Sequence, residues 1–585
     1  MKKNPIRLKD SLKTYTYDQD KVLTPVETVN RFKKRLKEVD LDILKEVRRI
    51  DNGRLKIPVY FSVCGKDASH IIGTKKQMGK GCTPEQAQAS ACMELAERFS
   101  FFSFTKNPDN FLVATYSRVK AEGYPVISLE QLLLSVHDTK HNVSFLEKLL
   151  ADIPIQWTWA TNLTRSEEVL VPFSWFYAIN EFNGPSAGNT YEEAIIQGIC
   201  EIVERHVSAL VSHDRIKTPA IDIEGINDPV ARDLIMKLTL NGILVYLNDF
   251  TLNTGIPTVA ALAMDPNTFP EKSEIVFTAG TTPNPNKALI RALTEVAQLA
   301  GDFDTGANYV ASGLPKPMNL AEADYVIEPE RMVSLGEMND LADNNLRIEI
   351  ESCLAALKKI GMEVFVVDTM HEKLQIPAIY TIIPGAHFRE RSRVRDVGLF
   401  AAKLVSELIP DPEEAIRKLL TLEKLLPDAY YLQFYIGRNH HALGRPDTAL
   451  TYFHQAAILN PEAEDLPYIY SYMGHCHKDM EDYHEAIRVL EMARELEEER
   501  TDVHNLLGFC HFKLKNHQSA IDHFSRAVEL NPSSAIDYAN IATNYRELKN
   551  LPEAIRYYEL AISIDPSLEF AKQNLQNIMT AEGSC

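Results

Sequence analysis

Residues 188–205 read GNTYEEAIIQGICEIVER, and within them Glu193, Gln197, Glu201 and Glu204 stand four, four and three positions apart. On a helix that spacing puts all four on one face. Ile195, Ile196, Ile199, Cys200, Ile202 and Val203 surround them, so the acidic line is narrow. A second stretch, QASACMELAERFSFF, places Ser90, Glu94 and Glu97 at steps of four and three among Ala91, Cys92, Met93, Leu95 and Ala96. Both stretches share E-x-x-E-R, as Glu94/Glu97/Arg98 and Glu201/Glu204/Arg205. A third, ALIRALTEVAQLAG, carries Arg291, Glu295 and Gln298 in the same geometry. A single acidic stripe reads as the solvated edge of a surface helix, because Glu is almost never buried unpaired. Three apolar helices with one thin polar line each predict lines that face one another across a cleft.

Carboxylates sharing a cleft repel unless a cation lies among them. Oxygen-only ligands, with no Cys or His in the stripes, suit the hard ion Mg2+ rather than zinc. Such an ion completes its shell with water and substrate phosphates, and Arg98, Arg205 and Arg291 are placed to take phosphate oxygens. The expected ligand is therefore a nucleoside triphosphate. A P-loop is absent: GTKKQMGKG, residues 73–81, has five residues between Gly73 and Gly79 where the motif has four, and Gly81 where Ser or Thr should stand. No H-R-D or D-F-G kinase set occurs either.

The strings KGCTPEQAQASACMELAER, PSAGNTYEEAIIQGICEIVER and TTPNPNKALIRALTEVAQ, followed by DTMHEKLQIPAIYTIIPG, closely resemble the YcaO family over roughly residues 20–400. The resemblance implies ATP and Mg2+ bound without a P-loop, and ATP-dependent phosphorylation of a backbone amide oxygen. A nucleophile then gives an azoline, a thioamide or an amidine. It also implies Glu94, Glu97, Glu201 and Glu204 as Mg2+ ligands, Ser186, Asn189, Glu193 and Gln197 in the nucleotide and metal pocket, and Arg291 on phosphate. Lys21 and Thr28, in KVLTPVETVNRFKKRL, match a nucleotide-contacting pair of the family. Their plainer reading is an exposed charge and a helix N-cap. Many ring-forming members carry a His where GTTPNPNKAL has Thr282, and azoline-forming members typically finish in a proline-rich tail, whereas this sequence runs on past residue 400 to AEGSC. Cyclodehydration is thus disfavoured.

The back half reads without any family. Gly437, Ala449, Phe453, Ala456 and Pro461 fall at offsets 8, 20, 24, 27 and 32 of a unit beginning at Tyr430, the small/large pattern of a tetratricopeptide repeat. Gly474, Gly508 and Ala542 restart it at intervals of 34, and an insertion of about three residues near Ala463–Leu466 separates the first two units. LEFAKQNLQNIMTA reads as the helix that caps such an array. The expected organisation is an N-terminal segment, 1–50, contributing to the nucleotide site; an α/β (α+β) ATP- and Mg2+-binding domain, 51–400; a linker helix, 401–429; and an all-α solenoid of four repeats plus a cap, 430–585. Its groove is expected to take a peptide or protein. In GHCHK, neighbouring side chains point to different sides of a helix, so His475, Cys476 and His477 read as packing and surface positions.

Composition sets outer bounds. The chain has 585 residues, 45% hydrophobic and 24% charged, with eight cysteines and no C-x-x-C. That fits a cytoplasmic, multi-domain protein with reduced thiols. No apolar leader and no membrane span are expected. A formal charge of −19 argues against direct nucleic-acid binding, yet leaves room for a basic protein substrate. One YcaO branch with a helical-repeat C-terminus assists methylthiolation of a small-subunit ribosomal protein, and this sequence resembles that branch in architecture. A thioamide-forming branch, acting with a sulfur-delivery partner, and a nucleotide-binding scaffold without chemistry are the alternatives. A homodimer is the expected assembly.

Overall fold

The computed structural model describes residues 3–73, 77–180, 182–304, 314–388, 396–532 and 534–582. Thr74–Lys76 of the Walker-like string and the closing residues 583–585 therefore lie outside the described residues. The chain divides into two units, Met1–Val397 and Gly398–Cys585.

The first unit is mixed α/β. Its three sheets are a small antiparallel one (Leu44–Arg49, Val59–Cys64, Gln77–Lys80), a five-stranded one centred on Leu244–Asp249 and Thr258–Met264, and a six-stranded one around Ile155–Asn162, Phe365–Asp368 and Ala378–Ile382. Strands buried on both faces read as continuous apolar runs. Thr258–Met264 (TVAALAM) and Val276–Thr281 (VFTAGT) do so, and nearly every residue of the pair is buried.

Three helices carry the stripes: Pro84–Lys106, Tyr191–Asp214 and Pro285–Ala300. Each begins at a residue whose side chain accepts from the first-turn backbone: Thr83 from Gln86, Thr190 from Glu193, and Asn284 from Asn286 and Lys287. Pro at the first helical position of the outer two adds to the start signal. Two glycines set how near these helices lie to their sheets. A Cβ on Gly79 would stand 2.2 Å from the Ala87 carbonyl oxygen and the Ala91 nitrogen, and one on Gly280 would stand 2.4 Å from the Ala288 oxygen. Only a residue without a side chain permits that approach.

Among its described residues the second unit is all helical. Two helices, Val397–Leu408 and Pro412–Glu423, occupy the stretch where a single linker helix is expected from sequence, and the second packs on Tyr430–Ala442. Four helix pairs follow: Tyr430–Ala442 with Pro446–Ile458, Leu466–Asp479 with Tyr483–Leu496, Thr501–Lys513 with His517–Leu530, and Ala535–Glu547 with Leu551–Ile564, closed by Glu569–Glu582. The small residues at the repeat offsets are buried, and Gly437 lies against the Phe453 ring and Gly508 against the Phe524 ring.

Candidate functional site

The three stripes meet at a cavity of about 240 Å³. The helix Pro84–Lys106 supplies Ser90, Glu94, Glu97 and Arg98 to its wall. Tyr191–Asp214 supplies Glu193, Gln197, Glu201, Glu204 and Arg205, and Pro285–Ala300 supplies Arg291, Glu295 and Gln298. Asn189, Lys21 and Thr28 also line it. The side chain of Ser186 is turned elsewhere: fully buried, its hydroxyl donates to the Ala194 carbonyl at 2.8 Å, so it braces the wall without reaching the cavity.

Thr28 is not the N-cap that its sequence context allows. Thr24 caps the helix Pro25–Val39, with Glu27 completing a capping box. Thr28 is instead buried within the first turns and accepts from Asn189 Nδ2 at 3.0 Å. Lys21 Nζ lies 3.8 Å from Glu193 Oε1, and the Val22 amide donates to Glu193 Oε2 at 3.1 Å. These contacts stitch the N-terminal segment to the start of Tyr191–Asp214.

The cavity's charges are interleaved. Arg291 donates to Gln197 Oε1 at 2.9 Å, and its Nε lies 3.3 Å from Glu204 Oε2. Arg98 Nε is 3.4 Å from Glu97 Oε1. Lys80 is ion-paired with Glu295. Backbone amides add to this: Thr281 donates to Glu204 at 3.2 Å and Gly184 to Glu201 at 3.4 Å.

Burial works against these cations at the acidic groups. Burial pushes the Glu97 carboxyl well above the usual carboxylate range; Arg98 opposes the shift, and Glu201 and Glu94 add to it. Burial likewise raises Glu94 and Glu204, against Arg98 and Arg291 respectively. At Glu295 burial is outweighed by Lys80, Arg205 and Arg291, which hold it below its ordinary value. Burial thus prevails at Glu94, Glu97 and Glu204, whereas the cations prevail at Glu295. An all-oxygen donor set in that condition fits a hard divalent cation. Among the described residues no three of these carboxylates converge within 4.8 Å; the group that does is Asp138, His141 and Asp396. There Asp138 already accepts from the amides of Lys140, His141 and Val397 and from the His141 ring, which makes it a structural cap. The stripe carboxylates suit ions held by one or two of them each, with phosphates completing the shell.

Lys80 has no sequence signal of its own and stands in the string that fails as a P-loop. Glu295 belongs to the third stripe, and the structure pairs it with Lys80. Lys80 follows Gly79, and neighbouring strand residues face opposite ways, so Gly79 meets Pro84–Lys106 while Lys80 reaches across to Glu295.

An α/β unit that gathers carboxylates and guanidinium groups from three apolar helices, with no P-loop, defines a nucleotide- and metal-binding class of its own. Residues 78–387, more than half of the chain, match the family described as YcaO cyclodehydratase, ATP- and Mg2+-binding, and the chain belongs to the YcaO family. Residues 499–567 match the tetratricopeptide repeat. An uncharacterised protein of Methanothermobacter thermautotrophicus is 30% identical over 387 residues, covering 62% of this chain and 93% of that one. The ribosomal protein S12 methylthiotransferase accessory factor YcaO of Escherichia coli is 23% identical over 406 residues, 64% of this chain and 66% of its own length. A heterocyclase solved in complex with substrate and cofactor shares the fold, with a TM-score of 0.54 and 23% identity over 66% of this chain and 55% of that one. No helix among the described residues is long and apolar enough to cross a membrane.

Proposed function

We propose that the protein uses ATP to phosphorylate a backbone amide oxygen of a peptide or protein. The observation that carries this reading is the convergence of Glu94, Glu97, Glu201 and Glu204 with Arg98, Arg205, Arg291 and Lys80 on one cavity. Glu94, Glu97, Glu201 and Glu204 would hold Mg2+, whose chemistry is to neutralise phosphate charge. The arginines and Lys80 hold phosphate oxygens in line with the amide, and Lys21, Thr28, Asn189, Glu193 and Gln197 position the nucleotide. In the reaction the amide oxygen bonds to the γ-phosphorus and ADP leaves. A nucleophile then adds at the amide carbon, and inorganic phosphate departs with the original oxygen.

The nucleophile in this reading comes from outside the ring-forming route. Thr282 stands where ring-forming members carry a His, and its hydroxyl is engaged by the Asn284 carbonyl at 2.6 Å, at the start of Pro285–Ala300. This leaves no imidazole there to deprotonate a neighbouring side chain of the substrate. The leading role is that of an accessory factor in methylthiolation of a small-subunit ribosomal protein; thioamide formation with a sulfur-delivery partner is the second. Cytoplasmic residence and a homodimer belong to the same proposal, and fractionation together with light scattering tests them.

Purified protein is expected to hydrolyse ATP only with Mg2+, and Glu201→Ala to abolish it. Equal hydrolysis in wild type and variant sinks the catalytic reading and leaves a nucleotide-binding scaffold. Mass analysis of captured substrate then separates the roles: oxygen-to-sulfur exchange marks thioamide formation, and loss of water marks ring closure.

A further inference from the structure

The first helices of the repeats present a face whose composition differs from that of the chain as a whole. On Tyr430–Ala442, Phe434, Arg438 and His441 are four and three apart; on Leu466–Asp479, Tyr468, Tyr472, His475 and Lys478 continue the row; on Thr501–Lys513, Phe509 and Lys513 do so again. Spacing of three and four keeps each set on one side of its helix. The rows also touch across helices. The Arg438 guanidinium lies 5.7 Å from the Tyr472 ring centre, and Phe434 meets Tyr472 edge-on at 5.3 Å. His441 lies 6.1 Å from His475. Lys478 and Lys513 both stand over Phe509, at 5.7 and 5.4 Å. This forms one continuous band of rings and cations over three repeats.

The sign of the band is set by which charges are already used. Asp479 accepts from His441 Nε2 at 2.8 Å and is ion-paired with Lys478, also at 2.8 Å. Asp502 is held by Arg500 at 2.8 Å and by Ser471 at 2.9 Å. These two carboxylates are therefore engaged. Arg438 and Lys513, by contrast, form no ion pair with any described residue and rest on aromatic rings. Phe509 is 37% exposed and Tyr468 49%. A ring flanked by two ammonium groups is a poor surface for a cationic ligand. It suits a carboxylate with an apolar neighbour: the anion meets Lys513, while Lys478 stays with Asp479 and the apolar group covers the ring. The −19 charge of the whole chain does not reverse this locally, because at physiological salt charges farther than about 8 Å are largely screened.

We propose that this face binds an extended acidic segment of a partner protein, one carrying apolar side chains beside its carboxylates, with Arg438 and Lys513 as the charge-reading residues. This goes beyond the activity proposed above and does not depend on it. In this arrangement the repeats do not hold a basic substrate; they hold an acidic protein, and any basic substrate is engaged elsewhere.

The test uses the full chain and two fluorescein-labelled synthetic peptides of equal length, alternating Glu with Leu and Phe, or Lys with Leu and Phe. Fluorescence anisotropy is expected to show the Glu peptide binding at least about tenfold tighter than the Lys peptide, and weakening as salt rises. Arg438→Gln combined with Lys513→Gln is expected to weaken the Glu peptide by about tenfold with an unchanged helical spectrum and melting midpoint. Arg556→Gln, on the second helix of the fourth repeat, should bind as wild type does. The proposal is overturned if the Lys peptide binds as tightly, if neither peptide binds, if the double variant is unaffected, or if Arg556→Gln weakens binding equally. Each readout is independent of ATP hydrolysis, so loss of the catalytic reading leaves this result interpretable.

Discussion

Asn189 donates through Nδ2 to Thr28 Oγ1 at 3.0 Å, joining a side chain near the start of the chain to one lying 161 positions later. Both line the cavity. The helix Pro25–Val39 is therefore part of the cavity wall and not merely an appendage to the fold. Thr28→Val keeps the shape and removes the acceptor, so it is expected to weaken ATP binding by about 1 kcal/mol, or roughly fivefold. Isothermal titration with a non-hydrolysable ATP analogue checks this; unchanged affinity would place the nucleotide elsewhere.

Glu97 supplies a stability test. Its folded pKa is raised, chiefly by burial, so the folded protein pays for ionising it. That penalty is absent at pH below the ordinary carboxylate range and grows as pH rises through the raised folded value. Glu97→Gln is thus expected to raise the melting midpoint of the ligand-free protein at neutral pH and to have little effect near pH 4. It should also blunt the stabilisation that ATP with Mg2+ gives the wild type. Thermal scans with and without the ligand measure both.

Lys13 sits almost fully buried between Asp20, at 2.8 Å, and Glu349, at 2.5 Å. Burial pushes Glu349 up to about 7, against the pull of Lys13. With the folded value above the ordinary one, this group favours the folded state at low pH and ceases to as pH rises to about 7. Lys13→Met leaves Glu349 buried and unpaired, so a loss of about 3 kcal/mol is expected at pH 8. At pH 6, where Glu349 is protonated, the loss should be clearly smaller. Denaturant melts at the two pH values decide; equal losses would mean that Lys13 acts through packing alone.

Gly280→Ala forces a Cβ against the Ala288 carbonyl oxygen and the Ala292 nitrogen, which are backbone atoms that cannot swing away. The helix bearing Arg291 and Glu295 must then move off its sheet. We expect a destabilisation of about 3 kcal/mol and loss of Mg2+-dependent ATP hydrolysis, although residue 280 touches no ligand. Wild-type turnover in this variant would show that the helix position is not critical.

How much of this was legible in the sequence follows from the range of each signal. The stripes and the repeat units are periodic within one helix or one helix pair, so spacing alone revealed them. The pairing of Ala378–Ile382 with Pro185–Ala187, and of Phe365–Asp368 with Ile155–Asn162, depends on contacts across long stretches of chain and carries no local mark. Thr28 looked like a cap because Thr often is one; Thr24, four residues earlier, has Pro after it and Glu three positions on, which is the stronger start signal. The motif puts Ser186 in the pocket, yet short motifs do not say which way a side chain turns. Lys80 lies in a string that fails as a P-loop, so no motif marks it.

The adjacency of Gly79 and Lys80 carries one more consequence. In the observed register Tyr60 pairs with Gly79 and Val59 with Lys80. A slip of one residue in that short strand would exchange the two sides, driving a lysine stem into the backbone of Pro84–Lys106 and leaving Glu295 without its ammonium partner. Inserting or deleting a single residue there would therefore break the scaffold and strip the cavity of a charge in the same stroke, and no side-chain replacement elsewhere could repair one fault without the other.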